Sequence, residues 1–256
     1  MPKFFVNSEQ VDNGEIRIIG DDVNHIKNVL RMKVDDVFNV CDNINSINYK
    51  VKIDSFESES VVCKILEKCE NLAESNVKVH IYQGLPKADK MELIIQKSVE
   101  LGVEKIIPVE MKRCVVKLDG KDKLKKVDRW NKISEVAAKQ SGRDIIPEIC
   151  QVETVKQMTE KFDEYDLVIL CYENEKDLFI KDVLRDSKVI DILHENNGIK
   201  IAVIIGPEGG IDSSEVNVMN EKGARVVSLG NRILRTETVA ISLLSIIMYE
   251  FERNEL

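Results

Sequence analysis

The chain has 256 residues, 43% hydrophobic and 32% charged. That length and composition fit one large or two modest folded domains and exclude a disordered chain. The net charge of -8 argues against indiscriminate nucleic-acid binding, although a whole-chain sum can hide a local basic patch.

Residues 1 to about 72 are predicted to be β-rich. Lys3–Val6, Glu15–Ile19, Val37–Cys41, Asn48–Ile53 and Ser60–Ile65 are short, mostly alternating runs. Turn residues at Asn13-Gly14, Asp35-Asp36 and Asp42-Asn43 separate them. One helical interruption, Asp22–Arg31, carries apolar residues at Val23, Ile26, Val29 and Leu30, the spacing of a helix face. Short strands at such intervals predict a small barrel. The polar stretch Glu67–Asn76 ends the region, which places a domain boundary near residue 72.

From Val77 strands and helices alternate, the pattern of an α/β domain with a mostly parallel sheet. A strand is predicted over Val77–Tyr82. A helix over Lys90–Leu101 follows, stopped by Gly102 as a C-terminal cap. Glu104–Val109 is the next strand. Lys123–Gln140 is helical, with Leu124, Val127, Trp130, Ile133, Val136 and Ala137 on one stripe. Tyr165–Tyr172 is a buried strand, and a connection over Asp177–Asn197 leads to another at Ile201–Ile205. That strand stops at Gly206-Pro207-Glu208-Gly209-Gly210. Asp212 and Glu215 then form a capping-box pattern for a helix. A last strand, Arg225–Leu229, ends at Gly230-Asn231-Arg232-Ile233-Leu234-Arg235-Thr236-Glu237, and a long apolar helix runs from Thr238.

Two strands that each end in a glycine-bearing loop suggest a ligand held by backbone groups, the alternative being two plain αβ connections. Neither loop is GxGxxG or a GK[ST] phosphate loop, which weakens nicotinamide and nucleoside-triphosphate readings. Glu208 reads either as a ligand hydrogen-bonder or as a solvated loop carboxylate. Arg232 and Arg235 read either as anion-stabilising groups or, with Glu237, as a structural pair at a helix start. The segment from Lys112 to Arg143 holds eleven basic and four acidic side chains. It is either a phosphate-binding patch or a solvated helix face. Gln140-Ser141-Gly142-Arg143 at its end is small and polar, as a substrate-facing loop would be.

His25, His80 and His194 form no catalytic cluster, and no GxSxG elbow occurs. The six cysteines (Cys41, Cys63, Cys69, Cys114, Cys150, Cys171) contain no CxxC pair, so no zinc site is expected and free thiols in a reducing compartment are. Without a leader-like N-terminus or an apolar run near the ~20 residues of a membrane span, a cytoplasmic location is the expectation.

Ile205-Gly206-Pro207-Glu208-Gly209-Gly210, followed by Ser228-Leu229-Gly230 through Thr238, closely resembles the RsmE family of the SPOUT superfamily. The likeness extends over nearly the whole chain. Lys3–Val6 and His25–Arg31 resemble that family's PUA-like barrel. Lys97–Val103 through Pro108, and Arg129-Trp130 through Ala137–Arg143, are similar to its central motifs. Lys3 departs from the family's usual arginine, and Val239 from its more frequent alanine.

The resemblance implies a PUA-like β-barrel RNA-binding domain over residues 1–72. A SPOUT methyltransferase domain over 73–256 would follow, with a trefoil knot at its C-terminal end. The implied reaction is methylation of uridine N3 in the decoding region of 16S ribosomal RNA, on the small ribosomal subunit, with S-adenosylmethionine as cofactor. A homodimer, with the final helix in its interface, is implied too. The alternatives are a SPOUT enzyme acting elsewhere on RNA and a non-catalytic assembly factor. Carried onto this chain, the cofactor-binding residues are Leu170, Cys171, Tyr172 and Glu173, then Ile205 to Gly210 (with Pro207, Glu208 and Gly209), then Ser228, Leu229, Gly230, Ile233, Leu234 and Thr236. Arg235, with Arg232 or a partner-subunit Arg143, is expected to stabilise the uridine anion, and Glu237 is a candidate base. Lys3, Lys27, Arg31, Arg113, Arg129, Gln140 and Arg143 are expected to contact RNA.

Overall fold

The structure, a computed structural model, describes residues 3–70 and 73–252. The boundary expected near residue 72 lies outside the described residues. Contacts divide the chain into two compact units. The first takes residues up to Glu74 together with Ala138–Ile146, and the second takes Ser75–Ala137 and the residues from Pro147.

The first unit is a mixed sheet built from β1 (Lys3–Val6), β2 (Val11–Asp12), β3 (Glu15–Ile19), β4 (Val37–Asp42), β5 (Ile47–Phe56) and β6 (Ser60–Cys69). Their order is β1-β4-β5-β6-β3-β2, with β1 parallel to β4 and the other pairs antiparallel. Alternation aims Phe4 and Val6 of β1, Ile16 and Ile18 of β3, and Phe38 and Val40 of β4 into one core, so the sheet curls around it. Among the described residues no backbone pairing joins β1 to β2, so hydrogen bonds do not close the curl into a full barrel. The predicted helix over 22–31 is real but broken. A short α1 (Asp21–Asn24) passes into a π turn over His25–Val29, which keeps Val23 and Ile26 buried.

The second unit carries a fully parallel sheet. It contains β7 (Val77–Gly84), β8 (Lys105–Glu110), β9 (Glu148–Ile149), β10 (Glu153–Thr154), β11 (Leu167–Cys171), β12 (Ile199–Ile205) and β13 (Arg225–Val227). The order is β10-β8-β7-β12-β11-β13, with β9 on β8. Ile201 to Ile205 are all buried, as a central parallel strand covered on both faces requires. Each fully buried isoleucine contributes about 1.5–3 kcal/mol.

The connecting helices are α2 (Lys90–Glu100), α3 (Gly120–Ser141), α4 (Val155–Thr159), α5 (Ile180–Leu184), α6 (Ser187–Glu195), α7 (Ser213–Glu221) and α8 (Thr236–Phe251). Gly102, at φ +93°, ends α2 as its sequence predicts. The connection over 177–197 holds both α5 and α6, the latter capped by the Asp186 carboxylate. The stripe on α3 is only partly covered: Val127, Trp130 and Ala137 are buried, whereas Leu124 and Val136 stay exposed.

A partly buried polar chain runs through this unit. His80 Nε2 lies 2.7 Å from Glu104 Oε2, and His80 Nδ1 lies 2.9 Å from Tyr165 Oη, which is 2.9 Å from Tyr82 Oη. The His80 hydrogen bond brings the Glu104 carboxyl from 4.5 down to about 2, against the opposing effect of burial and with help from Lys78. A depressed folded-state value means that this stabilisation is complete above pH 4.5 and is lost as pH falls toward 2. Glu104→Gln should therefore flatten the fall of unfolding free energy across that window, which denaturant titrations at stepped pH would read.

Candidate functional site

Three loops leave the C-terminal ends of β11, β12 and β13, neighbouring positions at one end of a parallel sheet, where α/β proteins commonly hold ligands. They line one cavity of about 760 Å3, within the usual range for a small-molecule site. Cys171, Tyr172 and Glu173 come from the first loop, Ile205 to Ile211 from the second, and Ser228 to Thr236 from the third. The expected cofactor residues thus converge on this cavity, with one exception. Leu170 is wholly buried within β11 and does not line it.

Packing explains why the loops hold this form. Gly210 sits at φ +70°, and a Cβ there would run into Glu173 Oε1 across the cavity. Thr236 Oγ1 donates to Gly206 O at 2.7 Å and accepts from Gln83 Nε2 at 2.8 Å. Gln83 also donates to Gly84 O. A buried side chain at the end of β7 therefore ties the second loop to the start of α8. Asp212 caps α7 through Ser214 N, but Glu215 does not close the expected box. Its Oε1 instead accepts from Lys112 N at 2.9 Å.

Glu208 accepts from Lys90 Nζ at 3.0 Å and from Lys87 N at 3.0 Å. Burial alone would raise its carboxyl, but these hydrogen bonds outweigh it and hold the group below the usual carboxylate value. Burial pushes the Cys171 thiol up to about 12, so it stands in the cavity wall as a neutral group rather than a nucleophile.

Arg232 and Arg235 are exposed and line the cavity. The turn that carries them is not helical, and Arg235 is the N-cap of α8. No carboxylate pairs with either guanidinium among the described residues. Glu237 lies 3.6 Å from Lys90 Nζ instead, so an Arg–Glu structural pair is not what holds this turn.

Arg143 is placed elsewhere. Its side chain is 5% exposed and donates from Nε (2.9 Å) and one terminal nitrogen (2.7 Å) to Glu74 in the first unit. Lys3 pairs with buried Asp144. Lys27 donates to Glu57 O at 2.6 Å, and Arg31 and Gln140 are exposed. Within the basic segment, Arg113 donates to Gly209 O at 3.3 Å and Arg129 pairs with Glu92 at 2.7 Å. Lys117, Lys121, Lys125, Lys126 and Lys132 have no ion pair among the described residues, so they leave a basic stripe along and before α3.

Lys90, Phe179 and Val239 also line the cavity, and Gln83 braces it. None belongs to the loops that the sequence points to. A signal exists for two of them: Gln83 is a polar residue closing an apolar strand, and Lys90 is a cation at a helix N-terminus, where the dipole disfavours it. No group of three or more His, Cys, Asp or Glu side chains that could hold a metal occurs among the described residues.

A family model described as an RNA methyltransferase domain matches residues 73–248, and one described as an RNA methyltransferase PUA domain matches residues 18–66. The chain is 34% identical to the ribosomal RNA small subunit methyltransferase E of Bacillus subtilis (strain 168), covering 98% of each. It is also 34% identical to the protein of that name from Mesomycoplasma hyopneumoniae (strain 232), covering 96% of this chain and 98% of the other. Its fold is similar, with a TM-score of 0.84 at 26% identity over 97% of each chain, to a crystal structure of a ribosomal RNA small subunit methyltransferase E from Neisseria gonorrhoeae bound to S-adenosyl methionine. Full-length relatives at this identity and a domain match over more than half its length place the chain in one family: it belongs to the ribosomal RNA small subunit methyltransferase E (RsmE) family.

Proposed function

We propose that this chain methylates N3 of a decoding-region uridine in 16S ribosomal RNA, on the small subunit, with S-adenosylmethionine as donor. The observation that carries the reading is one cavity lined by three strand-end loops, with two guanidiniums in its lining that have no carboxylate partner among the described residues. The cavity suits this cofactor. Ile205, Leu229 and Leu234 offer apolar walls for an adenine, and the backbone of Gly206–Gly210 and Ser228–Gly230 offers polar groups for its edges and ribose. When bound, the cofactor supplies a methyl group activated by its sulfonium.

The chain's own residues orient the uracil and stabilise charge. Loss of the N3 proton leaves an anion shared with O2 and O4, and Arg235, with Arg232, is assigned to that anion. Arg143, held by Glu74, is left out of the catalytic set. Glu237, beside Lys90, acts on loop position rather than as the base. The basic stripe from Lys117 to Lys132 is assigned to RNA backbone phosphates, with Lys27 and Arg31 of the first unit.

The same reading includes a trefoil knot near the C-terminus, supported by the likeness to the SPOUT pattern. It also includes a homodimer through α8, supported by the exposure of Ile246 and Tyr249. No helix among the described residues is long and apolar enough to cross a membrane, and a ribosomal substrate supports a cytoplasmic location.

Nucleoside mass spectrometry of naked RNA and of assembled small subunits, each incubated with protein and cofactor, tests the reaction. The expected product is 3-methyluridine. A methyl group on ribose or on another base would overturn the assignment.

A further inference from the structure

Lys90 occupies a position that its own helix disfavours. It is the first residue of α2, where the helix dipole presents partial positive charge. What holds its ammonium there are two carboxylates from different parts of the site. Glu208 Oε1, from the loop after β12, lies at 3.0 Å, and Glu237 Oε2, from the first turn of α8, lies at 3.6 Å. The three side chains are only 29%, 23% and 15% exposed, so solvent screens them incompletely. Glu237 Oε2 is buried and makes no hydrogen bond among the described residues, so Lys90 is its compensation. Glu208 is further committed to Lys87 N. Lys90 itself lines the cavity.

We propose that Lys90 is a positioning residue for the cofactor. Its ammonium neutralises Glu208 and Glu237 and so clamps the glycine loop against the start of α8 in the form that admits the cofactor. The inference rests on the methyl-transfer reading above and deepens it. One cation and two carboxylates leave this three-residue cluster with a net charge of -1, which locally favours a sulfonium over its neutral demethylated product. Removing Lys90 leaves two carboxylates that had shared one nitrogen, and their repulsion drives the loop and the helix start apart. Such a pair can relax by taking up a proton. The charged groups facing Lys90 are Glu208 from the loop and Glu237 from α8. Glu173, from the loop after β11, faces Gly210 instead.

The test is calorimetric binding of S-adenosylmethionine without RNA. Lys90→Met should weaken binding by about 10- to 100-fold at about pH 8, and lowering the pH to about 5.5 should recover at least about threefold of it. Wild type should show no such recovery. Lys90→Arg should stay within about threefold of wild type, because it keeps the charge. Adding Glu237→Gln to Lys90→Met should restore binding at the higher pH. A Lys90→Met loss that is insensitive both to pH and to Glu237→Gln would mark a merely structural lysine and overturn the inference, as would undiminished binding.

If Lys90→Met does not fold by circular dichroism, the Glu208→Gln/Glu237→Gln variant leaves the ammonium uncompensated. That variant should lose affinity for S-adenosylmethionine more than for neutral S-adenosylhomocysteine, and equal losses would overturn the inference. A wild-type chain that binds neither molecule would instead sink the methyl-transfer reading, and this inference with it.

Discussion

Arg235→Ala is expected to lower kcat by about 10²–10³-fold, the usual effect of removing one donor from a developing anion, while the affinity for S-adenosylmethionine stays within about threefold. The expectation follows from how the arginine is placed. Its guanidinium is exposed at the cavity edge and has no carboxylate partner among the described residues. Its backbone caps α8 without help from its side chain. The side chain can therefore be cut away without unpairing a buried group, and the loop should keep its shape. Arg232→Ala should cost less, since Arg232 lies further from the anchored start of α8 and its segment has no backbone cap to hold it. Arg235→Lys should recover part of the loss, because an ammonium supplies charge but not the planar two-donor fork. Single-turnover rates with saturating cofactor, set beside calorimetry, separate the two effects. Wild-type turnover in Arg235→Ala with intact cofactor binding would falsify the assignment.

What was legible in the sequence, and what was not, follows the range of each interaction. Alternating runs such as Glu15–Ile19 and the apolar block Ile201–Ile205 announce their strands, because burial on one face or on two leaves a local pattern. The two-residue strands β2, β9 and β10 are too short for any period to show. Asp212 was readable as a cap because Ser214 N, two residues on, satisfies it. Glu215 was not, because its partner is the backbone of Lys112, 103 residues away. Arg143 looked like a loop arginine until folding brought Glu74 beside it. The glycine loops and Arg235 are ambiguous as local patterns and become specific only through the family resemblance of the combined motifs. Gln83 and Lys90 stand out locally as a polar strand end and a cation at a helix start, but which loops they act on is set by the tertiary fold.

Gly84→Ala is the second substitution with a large expected effect, and a single methyl group is enough to produce it. Gly84 is the last residue of β7 and faces the glycine loop. A Cβ there would sit 2.7 Å from Pro207 Cδ, 2.8 Å from Pro207 N and 3.0 Å from Met111 Sδ. Two of those three atoms belong to a proline whose backbone cannot swing aside as a flexible side-chain tip can. The loop must therefore move by several tenths of an ångström, and it is anchored on both sides. Gly206 O is held by Thr236 Oγ1, and Glu208 is held by Lys90. Overpacking of this kind costs about 1–3 kcal/mol of stability. Because the displaced atoms line the cavity, cofactor affinity should fall by about tenfold or more, since small misplacements in a preorganised site are amplified. Gly120→Ala is the matched control. A Cβ there meets nothing within 4 Å, and the residue starts α3. That change should leave cofactor binding unaltered and stabilise the chain by up to about 0.5–1 kcal/mol through lower backbone entropy in the unfolded state. Thermal midpoints and calorimetry on both variants check the contrast. If Gly84→Ala bound cofactor as tightly as wild type, the loop would have to be far more compliant than its packing against Pro207 indicates.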